Sequence, residues 1–234
     1  MKIDFNKTEF TQDEVIYIVK NKLQFKLNIG DKLKLNNEYC NTFEVIGKDH
    51  DSSINTIDIM PIANVIRLKF NTSNNNDYSK SEVRRFINGK YIESFDKNIQ
   101  DLFKVMSVKV NIHNNNGSAT ITLKDKAKIL SAVEMNYSSF HSNMHGGYTG
   151  NTNDKEGEPY LDTFHTTKYN SRSEDRVRDN SKYITSTRDS KGYHWLRSRV
   201  TGSNTDVWVV DRYGDGSNHY MAIDDMGVLP VMRL

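Results

Sequence analysis

Histidine spacing is the first thing in this chain that suggests chemistry. His141 and His145 stand four apart, which on a helix would aim two imidazoles at one metal ion, and His165, His194 and His219 add candidates. Gly146 and Gly147 argue against a helix there, and no acidic residue separates the pair as in an HExxH motif. The histidines therefore read as surface-loop residues, and no metal is expected. The run Asp211 to Ser217, with Asp211 and Asp215, has some carboxylates of a calcium loop, and Asp224 and Asp225 would extend it if they lay close by. It lacks the terminal bidentate Glu, and a hairpin turn explains both glycines and both aspartates. Cys40 is the only cysteine, which excludes an intramolecular disulfide and a Cys-rich zinc site. No GxSxG, P-loop or pair of carboxylates singled out by spacing is present, so the expectation is a non-enzymatic protein without a cofactor.

Recognition chemistry is better represented. Ser138 to Ser190 holds few aliphatic residues and much Asn, Asp, Ser, Thr and Gly, with aromatics scattered through it. Such a segment cannot build a core of its own. It reads as a loop-rich insertion laid over a sheet, and structureless insertions of this length are usually functional. Tyr148, Tyr160, Tyr169 and Arg172 are the candidate contacts, because Tyr and Arg combine large area with hydrogen-bonding tips. The same tyrosines would serve equally to pin the segment to the sheet. Trp208 is a further ligand-binding candidate, since Val207 and Val209 claim the opposite face of its strand.

The elements that must carry these residues come from periodicity. Thr11-Gln12-Asp13-Glu14 has capping-box form, and Val15, Ile18 and Val19 give the helix behind it an apolar face. With no evident partner inside the chain, residues 1–24 read as a helical docking segment, and 25–234 as a single domain. From Phe25 the period drops to two through Leu35 and again around Phe43 to Gly47, and Pro61 divides Ile54 to Phe70 into two strands. Ser81 to Phe95 predicts a helix ended by Asn88-Gly89, with Gly89 as a left-handed cap. Val108 to Leu123 predicts a hairpin. Lys128 to Leu130 predicts a strand, after which Ser131 N-caps a helix and Glu134 closes a second capping box. Short strands around Trp195, Trp208, Tyr220 and Gly227 to Leu234 predict an antiparallel sheet at the end.

Three of these stretches carry a resemblance. Trp195-Leu196-Arg197-Ser198-Arg199 with Gly227-Val228-Leu229-Pro230, Ser81-x-x-Arg84 with Asn88-Gly89, and Leu130-Ser131-x-x-Glu134 match, in order, the motifs of a domain frequent in low-GC Gram-positive bacteria and their phages. Its members end in WLRSP and GVRPAL; here Arg199 replaces the proline and Leu229 the arginine. That ending is similar to C-type-lectin-like domains, including phage tropism determinants and the formylglycine-generating enzymes. The resemblance implies an α+β fold, with a C-type-lectin-like antiparallel sheet, flanking helices and long loops. In it Trp195, Arg197, Ser131, Glu134, Gly227 and Pro230 would be structural, with Arg197 pairing with a carboxylate such as Asp225.

Composition narrows the function. Lys plus Arg number 32 and Asp plus Glu 30, a formal charge of +2, and the arginines between Arg172 and Arg188 are interleaved with acids. A nucleic-acid partner is not expected. The opening MKIDFNKTEF lacks the apolar stretch of a signal peptide, and no apolar run reaches membrane-spanning length. The expectation is a bacteriophage virion protein made in the host cytoplasm: a capsid decoration or head-fibre protein, or a tail-fibre tip. It would join other virion proteins through its N-terminal segment, act as an oligomer and bind a host-surface glycan. The alternative is a bacterial ligand-binding or regulatory domain with no virion role.

Overall fold

Apolar alternation becomes sheet in many of the described stretches, though the run from Phe25 forms a tight turn, Gln24–Lys26, before a strand of three residues. The computed structural model describes residues 1–114, 117–135, 156–157, 160, 193–200, 203–210 and 218–234. In chain order the strands are β1 (Glu9–Phe10), β2 (Lys32–Lys34), β3 (Thr42–Lys48), β4 (Ile57–Pro61), β5 (Ile66–Lys69), β6 (Met106–Asn114) and β7 (Gly117–Asp125). The later strands are β8 (Ala127–Ile129), β9 (His194–Arg199), β10 (Asp206–Val210), β11 (Asn218–Met221), β12 (Asp225–Val228) and β13 (Pro230–Arg233). The α-helices are α1 (Gln12–Lys20), α2 (Glu82–Phe86) and α3 (Lys97–Gln100).

Among the described residues the strands form three sheets. Six pair in the order β1-β2-β3-β4-β13-β8, five in the order β11-β10-β9-β12-β5, and β6 and β7 make a hairpin. β1 runs parallel to β2 and β12 parallel to β9; the other pairings are antiparallel. The expected α+β, C-type-lectin-like architecture is therefore overturned in favour of a β-rich fold. Capping and periodicity signals hold locally, but the helices they start are short, and α1 with nine residues is the longest among the described residues. Ser131 and Glu134 illustrate this. The Ser131 amide donates to the Glu134 carboxylate at 3.1 Å and the Glu134 amide to Ser131 Oγ at 3.1 Å, which is capping-box geometry closing a single turn. Gly89 likewise adopts φ −111° rather than a left-handed cap, and the chain continues through a π turn, Ile87–Tyr91.

The stretch from Gly227 to Leu234 is two strands in two sheets, not one. β12 lies between β9 and β5, the chain crosses at Leu229, and β13 inserts between β4 and β8. Pro230 opens β13, the strand position where its missing N–H is tolerated. Gly227 sits where a β-carbon would fall 2.3 Å from the Asn64 side chain, so that side chain packs on its backbone in room that any residue but glycine would fill.

Period two then builds two apolar clusters. Trp195, Val207, Val209, Ile59 and Met232 enter the larger; Leu196, Trp208, Val210, Met60 and Val231 enter the smaller. β9, β10, β4 and β13 are thus buried on both faces, as central strands are. The N-terminal segment shares this core. The Glu14 carboxylate accepts the Thr11 amide at 2.9 Å, completing the expected cap, and Phe10, Val15 and Ile18 are fully buried in the larger cluster. The helix face expected to lack a partner is covered by this chain's own sheet. Trp195 is fully buried, donates its indole N–H to Leu68 O at 2.9 Å and meets Phe70 edge-on at 5.5 Å. Trp195→Ala is expected to cost about 3–5 kcal/mol in urea denaturation, and Trp195→Phe clearly less.

Candidate functional site

The sequence motifs meet at one side chain. β9 delivers Arg197, whose own N–H is held by Leu130 O at 2.9 Å, into the space between all three sheets. Its guanidinium donates from Nε to Lys109 O of β6 at 3.1 Å and from Nη1 to Ile129 O of β8 at 2.8 Å. Nη1 also reaches Glu134 Oε2 at 2.5 Å, and Nη2 bonds Glu156 O. Glu134, turned inward by the Ser131 cap, takes Lys128 Nζ at 2.7 Å on its other oxygen. Ser198 Oγ accepts the Ala132 amide at 2.9 Å and donates to the Glu156 carboxylate, which also receives the Asn111 amide at 3.0 Å. The expected Arg197–Asp225 pairing is corrected: Asp225 is exposed, and its carbonyl is bound by Arg67.

A second polar group adjoins the first. Asp58 of β4 takes Arg233 of β13 in a two-pronged pair, both contacts 2.6 Å, and the Tyr160 hydroxyl at 2.6 Å. The Tyr160 ring stacks on His50 at 3.7 Å, lies under Lys128 Nζ at 5.5 Å, and occupies the room left by Gly47, where a β-carbon would fall 2.6 Å from it. Asp51 completes the set, with His50 Nδ1 at 3.1 Å, Arg233 at 3.5 Å and Lys128 at 3.7 Å. Gly157, at φ +121°, packs onto Glu134, where a β-carbon would fall 2.6 Å from the carboxylate.

Electrostatics fixes these charges in place. Burial alone would raise the Glu134 pKa, but the charges of Arg197 and Lys128 outweigh it and hold the carboxyl below its ordinary range. Asp51 behaves alike, with burial opposed by His50, Lys128 and Arg233. Burial works against the charged forms of Arg197 and Arg233, and Glu134 and Asp58 respectively reverse it. Burial, reinforced by Asp58 and Glu134, pushes the Tyr160 phenol well up. Groups shifted this way retain their charge state near neutral pH; the arrangement suits cohesion rather than proton transfer.

The expected site residues separate accordingly. Ser131, Glu134, Arg197 and Trp195 lie at the junction or in the core, and Gly227 and Pro230 at the sheet crossing. Tyr160, expected as an exposed contact, is 2% exposed and anchors its segment, because its ring and hydroxyl both find partners inside. Trp208 is 4% exposed and meets His219 edge-on at 5.5 Å; its strand is buried on the second face as well as the first. Tyr148, Tyr169, Arg172, Asp211, Asp215, His141, His145 and His165 lie outside the described residues. Asp224 accepts the Met221 amide at 3.1 Å in a turn, and among the described residues no three His, Cys, Asp or Glu side chains are grouped to hold a metal. Sequence reasoning misses Asp58, Arg233, Glu156 and Asn88. Asn88 is no mere helix end: its amide donates to Ala127 O and accepts the Lys126 and Ala127 amides, joining the π turn to β8. Asp58 and Arg233 do leave a signal, opposite charges each set inside an apolar strand.

Fold and site together define a β-rich domain whose three sheets meet at one buried guanidinium, that of Arg197. The chain belongs to the DUF6273 family, a domain of unknown function, whose model matches residues 54–234 and so includes Arg84, Glu134, Arg197 and Gly227. No curated protein and no solved structure matches the chain.

Glu134→Gln is expected to destabilise the fold by about 3–5 kcal/mol, because it leaves Arg197 and Lys128 buried without their carboxylate. Glu134→Leu combined with Arg197→Met is expected to cost less than the sum of the single changes in a double-mutant cycle. His194 gives a pH signature. Burial alone lowers its pKa from 6.5 to about 3. Above pH 6.5 it is neutral folded or unfolded; below that, only the unfolded chain takes the proton. Stability is therefore expected to fall as pH drops from 6.5 toward 3, by up to about 1.4 kcal/mol per pH unit. Denaturation at pH 6.5 and 4.5 checks this, and His194→Asn should flatten the slope.

Proposed function

We propose that this is a non-enzymatic recognition protein of a bacteriophage or prophage virion, a capsid decoration or fibre component that presents a polar, aromatic segment to a glycan of the host surface. One observation carries the presenting role. Glu156, Gly157 and Tyr160, which belong to the polar sequence between Met135 and Tyr193, are the residues seated on Glu134, Arg197 and Asp58. That sequence is therefore fastened part-way along to the junction of the three sheets, as recognition segments on rigid scaffolds are. The absorption of the junction's charges into cohesion supports binding over catalysis. The virion setting rests on the WLRSP- and GVRPAL-like motifs and on their likeness to a domain of Gram-positive bacteria and their phages. With Tyr160 an anchor, Tyr148, Tyr169 and Arg172 are the contact residues, and attachment to other virion proteins uses a surface other than the buried face of α1.

The test is retention of the full chain on purified cell walls of low-GC Gram-positive hosts, together with antibody labelling of phage particles. Changing Tyr148, Tyr169 and Arg172 to Ala together is expected to weaken retention at least ~tenfold with the unfolding transition unchanged. Particles without label, or retention indifferent to the triple change, would sink the proposal.

A further inference from the structure

Three apolar side chains are strongly exposed at one end of the six-stranded sheet, and they sit on three separate connections. Phe25 is 57% exposed, Ile54 88% and Val105 58%. The connections are tied to one another. Lys48 Nζ donates to Phe25 O at 2.8 Å, Asn55 Nδ2 to Lys22 O at 3.1 Å and Lys104 Nζ to Asn55 O at 3.4 Å. Ile54 is held outward between Ser53, whose hydroxyl accepts Arg233 at 2.7 Å, and Asn55 in the left-handed region at φ 58°. Around these tips stand Lys22, Lys26, Lys48 and Lys104, all exposed.

Acidic neighbours do little to cancel them. Asp49 and Asp101 are exposed carboxylates of these connections, but Asp49 accepts the Thr56 amide and Asp101 pairs with Lys97 at 2.6 Å; Asp51 is turned toward His50, Lys128 and Arg233. Burial pushes the Lys104 ammonium pKa down, with Arg233 and Lys22 adding to the shift and Asp49 opposing it, as expected where cations crowd together.

We propose that this end of the sheet docks on an anionic lipid bilayer, the three apolar tips entering the headgroup layer while the lysines face lipid phosphates. Isolated tips ringed by ammonium groups suit a surface that conforms around each one, whereas a protein partner would need a cavity for every tip. Ile54, with almost no wall supplied by its own chain, makes the strongest case. Lys22 to Lys26 and Lys48 precede the residues matched by the family, while Ile54, Lys104 and Val105 lie within them.

Co-sedimentation of the full chain with vesicles tests it, comparing phosphatidylcholine alone with phosphatidylcholine containing about a third phosphatidylglycerol. Binding is expected to the anionic vesicles only and to fade as salt is raised. Ile54→Asp, and separately Lys22→Glu with Lys104→Glu, should each cut the bound fraction at least ~fivefold without moving the melting temperature. Equal binding to neutral vesicles, no binding to anionic ones, or binding indifferent to Ile54→Asp would overturn the proposal. So would retention on polyglutamate that survives Ile54→Asp, which would assign the patch to an acidic protein.

Discussion

A guanidinium fully removed from water cannot remain charged unless its donors are nearly all answered, and Arg197 meets that condition only when three sheets are in place together. Lys109 O comes from the hairpin, Ile129 O and Glu134 from the end of the six-stranded sheet, and Arg197 itself from the five-stranded one. Losing any one of these elements would strand a buried charge, at a cost of several kcal/mol. The pair is thus weak as a source of net stability and strong as a constraint on geometry. Alternative packings of the same apolar strands, which differ little in buried area, leave it unsatisfied.

This constraint explains which parts of the fold are legible in the sequence. The period-two runs yield β3, β4, β5 and the hairpin because alternation is a local property, and Thr11 to Glu14 yields its cap for the same reason. The Ser131–Glu134 box is also legible as a hydrogen-bonding pattern. The conformation after it is decided elsewhere, since Glu134 is drawn inward by Arg197 and Lys128 rather than left on a helix surface. Trp208 misleads because alternation separates two faces but does not say whether the second face meets water. Tyr160 misleads because an aromatic ring in polar sequence gives no sign of the space that Gly47 leaves for it. The polar segment itself is legible as composition only.

The reach of the family match adds a further point. Residues 54–234 contain β4, while β1, β2, β3 and α1 lie before them. In this chain those elements supply half the six-stranded sheet, pair with the free side of β4 and close the larger cluster with Phe10, Val15 and Ile18. An edge strand as apolar as Ile57-Asp58-Ile59-Met60 would invite pairing with other chains. The preceding segment covers that edge as well as extending the sheet.

The placement of β13 bears on how fast such a chain can acquire its structure. β13 fills the gap between β4 and β8, whose sequences lie far before it, with the long polar stretch intervening. Neither neighbour has a second partner on that side until β13 arrives, so the sheet cannot grow outward from a local hairpin through this point. Loop-closure entropy must be met before the pairing returns anything, which marks the chain as a slow folder among domains of its size. During that interval β4 and β8 present open, apolar edges. The time spent waiting for one four-residue strand is when this molecule is most exposed to aggregation.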